Sequence, residues 1–361
     1  MNNTDEQNTL TRRNFLKWTA GGLLGAGALT VGIRPWEKTA GGVSLSQRRP
    51  AMGTFVEITA RGEQEKQVND LIDKAYAEID EVDETMSVFK GTSRVYRLNE
   101  PGQEGISLTG KLAEVLTEGQ KISRLTEGSF DMTAAPLLDL WGFYGDRLHV
   151  PAAAELEETL KLVDYRKLTV HAGEGTATLA DPRAAIDLGG IAKGYAVDRA
   201  VEVLKQGGLS AGLVNAGGDI RGFGSPEGGR DWQVGLQHPL REDELLSVLK
   251  LYLPAITTSG NYESFFTYRG DKLAHIIDPK SGRPVEDVLS VSVLTDKAIR
   301  ADGLSTGAFS QTPERALETV EELDDTEIIY IYRNDSGKID VEVSGGLEGQ
   351  VSAGGLKGSL K

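Results

Sequence analysis

Apolar residues change their period several times along the chain, and each change marks an element. In "TFVEITARG" at 54–62 apolar and polar side chains alternate, which predicts a strand. From 66 to 86 the period lengthens: Val68, Leu71, Ile72, Ala75, Tyr76, Ile79 and Val82 share one helical face, so this stretch predicts an amphipathic helix whose apolar residues belong to the core. A second helix opens at the capping residue Thr109, runs through Leu112, Val115, Leu116 and Ile122, and stops near Gly128. "AELEETLKLVD" at 154–164 predicts a solvated helix. The "AAI" before Asp187 reads as a short buried strand, after which Ile191, Tyr195, Asp198 and Ala192, Ala196, Ala200 recur at helical spacing as far as "QGG" at 206–208.

Strand signals dominate the span from 167 to 300: "KLTVHAG", "TATLAD", "AGLVNAGGDIRGFG", "DWQVGLQHP", "SVLKLYLP", "ESFFTYRG", "KLAHIIDP" and "VLSVSVLTD". Most of the connections are too short for helical crossovers, so the sheets are expected to be largely antiparallel. A helix near 301, another after Pro313 and a last strand pair, "EIIYIYRN" and "KIDVEVS", complete an α+β chain of antiparallel sheets flanked by helices. A linker is expected around 34–45, and the Gly- and Ser-rich tail at 344–361 is expected to be flexible.

Composition narrows the function. The chain has 361 residues and a net charge of -15, which argues against a nucleic-acid partner because phosphate backbones are held by Lys and Arg clusters. It has no cysteine, so disulfides, thiolate metal sites, Cys nucleophiles and a lipid-acceptor Cys are excluded. His149, His171, His238 and His275 are scattered without H-x-x-x-H spacing, which speaks against zinc. Near the N-terminus, "TRRNFLK" at 11–17 precedes a weakly apolar, glycine-rich stretch, and the pair Arg12 and Arg13 resembles a bacterial twin-arginine export signal. Export through the twin-arginine translocase to the periplasm or the outer face of the cytoplasmic membrane is therefore expected. Residues 1–43 would be signal or anchor and linker. "TAGG" at 39–42 is a weak cleavage candidate, so removal and retention of the signal both stay open.

Candidate chemistry gathers in glycine-punctuated stretches expected at strand exits or helix starts: "RRPAMGTFVEI" at 48, "DLGGIAKGYAVD" at 187, "NAGGDIRGFG" at 215, "TTSGNYE" at 257 and "HIIDPKSGRP" at 275. None contains a Rossmann or P-loop fingerprint. In "DLGGIAKGYAVD", Gly189 and Gly190 sit at a helix N-terminus with Lys193 on its first turn, an arrangement that favours an anion, whereas Asp187 would repel one unless a cation lay between. In "RADGLSTGAF" at 300–309, Asp302 and Thr306 are four residues apart and share a helix face, with Ser305 beside them. One carboxylate, one hydroxyl and a carbonyl from the Gly190 turn are hard oxygen donors suited to Mg²⁺ beside a substrate phosphate.

The ordered set "AMGT", "FDMT", "DLGGIAKGYAVD", "NAGGDIRGFG", "TSGNYE", "HIIDPKSGRP" and "ADGLSTGAF" resembles the ApbE family of FAD:protein FMN transferases, over about residues 45–335. The resemblance implies a T-fold-like catalytic body at 44–343. It also implies an Mg²⁺-dependent reaction in which FAD is split, its FMN half is joined by a phosphoester to a threonine of an acceptor flavoprotein, and AMP is released. Carried over by position, the metal ligands would be Gly190, Asp302 and Thr306, with Ser305 adjacent. FAD contacts would come from Met52, Phe89, the Ser129, Phe130 and Asp131 turn, Asp187, Lys193, His275 and Ile276. Phe89 stands where a tyrosine is common. Asp302 would anchor the metal at the centre of catalysis, and His275 is by residue type a candidate base for the threonine hydroxyl or, equally, a residue that binds flavin or orders its own turn. The acceptor is expected to be another protein, such as an exported FMN-binding domain or an electron-transfer subunit of sodium-pumping NADH:quinone oxidoreductase or Rnf complexes. An exported FAD diphosphatase and a non-catalytic FAD-binding protein remain as alternatives.

Overall fold

The computed structural model describes residues 42–351 apart from 104, 146–147, 172, 227–230, 262–264 and 269–270. Its centre is an eight-stranded sheet: β1 (Val43–Ala51), β2 (Thr54–Gly62), β3 (Ala211–Ala216), β4 (Asp219–Phe223), β5 (Ala255–Gly260), β6 (Val288–Thr295), β7 (Glu327–Arg333) and β8 (Ile339–Val343). The spatial order follows the chain order and every neighbouring pair is antiparallel, as the short connections require.

One face of the sheet carries α1 (Glu65–Met86), α2 (Gly110–Leu125), α3 (Ala192–Gln206), α4 (Ala298–Phe309) and α5 (Pro313–Glu321). All seven apolar residues assigned to one face of α1 are buried. Thr109 caps α2, its side chain accepting from the Leu112 N–H. The opposite face is covered by a two-stranded ribbon, Trp232–His238 with Arg241–Leu251. β3 is therefore buried along its whole length, with Val214 and Ala216 in the helix-side core and Ala211 and Leu213 in the ribbon-side core.

Three expectations are corrected. Part of the presumed linker is strand, since β1 starts at Val43; as an edge strand with mixed exposure and Pro50 near its end, it lacks a strong apolar alternation. "TTSG" lies within β5, a central strand and not a loop; its helix-side face carries Thr257 and Ser259 in place of apolar residues, so no hydrophobic pattern revealed it. The tail is packed as far as Val351: Ser344 exchanges hydrogen bonds with Ile328, and Leu347 and Val351 close the end of the ribbon-side core. Residues 1–41, with the twin-arginine segment, lie outside the described residues, and among those described no helix is long and apolar enough to cross a membrane.

Candidate active site

The site begins where two helices touch. Gly194 on the first turn of α3 lies so close to α4 that a Cβ there would sit 2.2 Å from the Ala298 carbonyl oxygen, so only glycine allows this crossing. The helices then cap each other. Asp302 in α4 accepts the Gly194 N–H at 2.9 Å, while Asp198 in α3 accepts the N–H groups of Ala298 at 2.9 Å and Ile299 at 3.0 Å and pairs with Arg221. α4 starts at Ala298, slightly earlier than the pattern suggested, so Asp302 is an interior residue of its own helix and serves the start of another.

This crossing brings the expected metal residues together. Thr306 Oγ1 lies 3.4 Å from the Gly190 carbonyl oxygen, and a Cβ at Gly190 would come within 3.0 Å of the Thr306 side chain. Ser305 is fully buried; its hydroxyl donates to the Asp302 carbonyl and lies 3.0 Å from Ser259, which reaches Thr306 in turn. Ser305 therefore ties α4 to Thr257 and Ser259 of β5. Asp302 Oδ2 is taken by Gly194, whereas Oδ1 has no hydrogen bond among the described residues. At 3 % exposure, burial raises the Asp302 pKa, and the nearby Lys193 ammonium pulls it partly back.

The donor set fits magnesium. Carboxylate, hydroxyl and carbonyl are all hard oxygens, and no group of three or more His, Cys, Asp or Glu that could hold a metal occurs among the described residues. Mg²⁺ commonly needs no such cage, because water and substrate phosphate complete its shell.

Asp187 tethers a second group to this turn. Its N–H donates to the Met132 carbonyl, and its carboxylate accepts the Gly189 N–H and the Tyr144 hydroxyl, each at 2.6 Å. Removal from bulk water raises the pKa of Asp187, with the Tyr144 hydrogen bond opposing the rise, and the same enclosure beside a carboxylate raises that of Tyr144. Phe89, 54 % exposed, meets Tyr144 edge to face at 5.6 Å. The hydroxyl absent from Phe89 is thus present next door on Tyr144, a residue that sequence reasoning missed because "WGFYG" carries no periodic or motif signal.

The side chains of the Ser129–Asp131 turn are held by the fold. The Asp131 carboxylate accepts from the Thr133 N–H, the Thr133 hydroxyl and the Tyr165 N–H, while Ser129 and Phe130 are buried, Phe130 against Gly307. The Asp131 side chain therefore caps the turn that begins at Met132 and ties it to Tyr165.

Two hairpin tips complete the site. Met52 and Gly53 form the two-residue β1–β2 loop with φ of 49° and 73°; Gly217 and Gly218 form the β3–β4 loop with φ of 61° and 98°. The second tip is fastened to β2 beside the first, the Gly217 N–H donating to the Phe55 carbonyl. A left-handed methionine is strained, a condition that clusters at functional sites. Directly after the second tip stands Asp219, 1 % exposed and ion-paired with Lys193. The stretch "NAGGDIRGFG" carries no spacing that singles out Asp219. His275 and Ile276 are half-buried and lead into the closed "DPKSGRP" turn, where the Val285 N–H donates to the Ile276 carbonyl.

Residues 52–330 match the model of the ApbE family. The chain is 34 % identical over 278 residues to the FAD:protein FMN transferase of Haemophilus influenzae, covering 73 % of this chain and 80 % of that protein. It is 33 % identical over 337 residues to the enzyme of the same name from Vibrio cholerae serotype O1, covering 90 % and 95 %. The crystal structure of the ApbE protein from Thermotoga maritima superimposes with a TM-score of 0.78 at 28 % identity, covering 86 % of this chain and all of that one.

Proposed function

The chain belongs to the ApbE family, and from that premise we propose that it transfers FMN from FAD to a threonine hydroxyl of an acceptor flavoprotein in an Mg²⁺-dependent reaction. It is an enzyme, a flavin transferase. The observation that carries the finer reading is the meeting of the Gly190 carbonyl, the Thr306 hydroxyl and the Asp302 carboxylate at the start of α3, one turn from Lys193.

In the proposed reaction the threonine oxygen attacks the FMN phosphorus, the bond from that phosphorus to the bridging oxygen breaks, and AMP leaves with the electron pair. Asp302, Thr306 and Gly190 would hold the metal. Bound there, Mg²⁺ would neutralise charge on the pyrophosphate and the departing AMP. Lys193 and the positive end of the α3 dipole offer positive potential to the same phosphates. Met52, Phe89, Asp187 and the His275–Ile276 exit are the flavin and adenylate contacts in this reading, with the backbone of the Ser129–Asp131 turn. His275 is proposed as acceptor of the threonine proton.

The test is incubation of the protein with FAD and Mg²⁺, with and without an exported FMN-binding domain. FMN on a threonine of that domain by mass spectrometry, with AMP released, is the expected result. Free FMN alone across several acceptors would favour a diphosphatase, and unchanged FAD a binding protein. His275→Ala should lower transfer more than FAD affinity; equal losses would make His275 a binding residue. The proposed location is outside the cytoplasm, after export by the twin-arginine route. The proposed acceptors are exported FMN-binding domains or electron-transfer subunits of the sodium-pumping and Rnf type.

A further inference from the structure

Lys193 stands between two buried carboxylates. It is on the first turn of α3; the next residue, Gly194, donates its N–H to Asp302, and the Lys193 ammonium is ion-paired with Asp219 at the start of β4. Both acids are almost fully buried, at 3 % and 1 % exposure, whereas the lysine side chain is about one-third exposed. The ammonium is near enough to Asp302 to act on its charge, yet its ion pair is with Asp219. Asp219 has little freedom to move: it follows the tight Gly217–Gly218 tip, where the Asn215 side chain accepts the Gly218 N–H and the tip is fastened to β2. Lysine, a point charge on a flexible four-carbon stem, goes to whichever acceptor is fixed within reach.

We propose that Asp219 is a positioning residue that holds the Lys193 ammonium away from Asp302, leaving Asp302 Oδ1 available to a divalent cation. This rests on the metal reading given above. Without Asp219 the ammonium would turn to Asp302 and compete with the metal for the one carboxylate assigned to it. The clamp also keeps the cationic end of Lys193 on the β4 side of α3, next to the hairpin tips.

Mn²⁺ binding to the full-length, metal-free protein, followed by electron paramagnetic resonance in the absence of flavin, tests this through a double-mutant cycle. Asp219→Asn should weaken Mn²⁺ binding roughly tenfold or more, the scale of one partly buried charge contact. In a Lys193→Met background the same Asp219→Asn change should have little effect, because no ammonium remains to be held. Lys193→Met alone should bind Mn²⁺ at least as tightly as the wild type. The clamp is overturned if Asp219→Asn weakens binding equally in both backgrounds, which would mark a plain field effect. It is also overturned if Asp219→Asn does not weaken binding, or if Lys193→Met alone does. Should Asp219→Asn not fold, the Lys193→Met comparison decides. Asp302→Asn separates the two levels: wild-type binding that is absent, or unchanged by Asp302→Asn, removes the metal assignment and this inference with it, whereas binding that depends on Asp302 but not on Asp219 removes only the clamp.

Discussion

Asp302 is a buried carboxylate serving two ends. One oxygen completes the start of a neighbouring helix and the other is left without a hydrogen bond among the described residues, so the cost of burying its charge is only partly offset by Gly194 and the Lys193 ammonium. Burial raises its folded-state pKa, and the sign follows: its contribution to stability is full below the ordinary aspartate range and is lost as pH rises through the folded value. Asp302→Asn keeps an acceptor for Gly194 and removes the charge. The metal-free variant should therefore melt higher than metal-free wild type at pH 8, the gap closing in acid, while flavin transfer falls by about two orders of magnitude or more. Thermal melts at several pH values in EDTA, beside a transfer assay with Mg²⁺, check both halves. Gly190→Ala tests the other wall: its Cβ would press on Thr306, so transfer should drop at least about tenfold for a stability loss of about 1–3 kcal/mol.

At the scale of elements, the α3–α4 crossing connects fold to chemistry. Each helix supplies the aspartate that caps the other, and Gly194 sets their separation. Because the obstacle at Gly194 is backbone and not the end of a flexible side chain, Gly194→Ala should cost about 3 kcal/mol, the upper end of overpacking. Asp198→Ala should cost about 3–5 kcal/mol, since it strips the cap of α4 and leaves Arg221, a largely buried cation, with only the more distant Glu202. Urea unfolding with an unchanged m-value would verify both losses as losses of native-state stability. Either variant should also weaken metal binding, because the crossing sets the Asp302-to-Gly190 geometry.

For the whole molecule, an antiparallel meander with helices on one face and a ribbon on the other leaves the β1–β2 and β3–β4 hairpin tips and the start of α3 together at one end of the sheet. The twin-arginine segment precedes the family match in sequence, so Arg12→Lys combined with Arg13→Lys should abolish export while purified protein keeps its melting temperature and transfer activity. Cell fractionation checks this, and full export of the double variant would remove the proposed location.

Local patterns by themselves determined the elements with strong periodicity and the motifs with a fixed spacing. The buried face of α1, the Thr109 cap, the helix after Gly190 and the Asp302–Thr306 pair could all be read because side chains three or four positions apart share a helix face whatever surrounds them. Antiparallel pairing was legible from connection length. What only the tertiary structure decided depends on contacts between distant segments. β5 was hidden because a strand lining a polar site shows no apolar alternation, and the packed tail because two apolar residues among glycines and serines reveal nothing until a core lies beneath them. Asp131 could not be separated from Asp187 or Asp219 by residue type, since a carboxylate becomes cap, tether or clamp according to the donors that the fold brings to it. Tyr144 beside Asp187 and Asp219 beside Lys193 are partnerships across 43 and 26 residues, and such pairs exist only once the sheet and the crossing helices have brought those segments together.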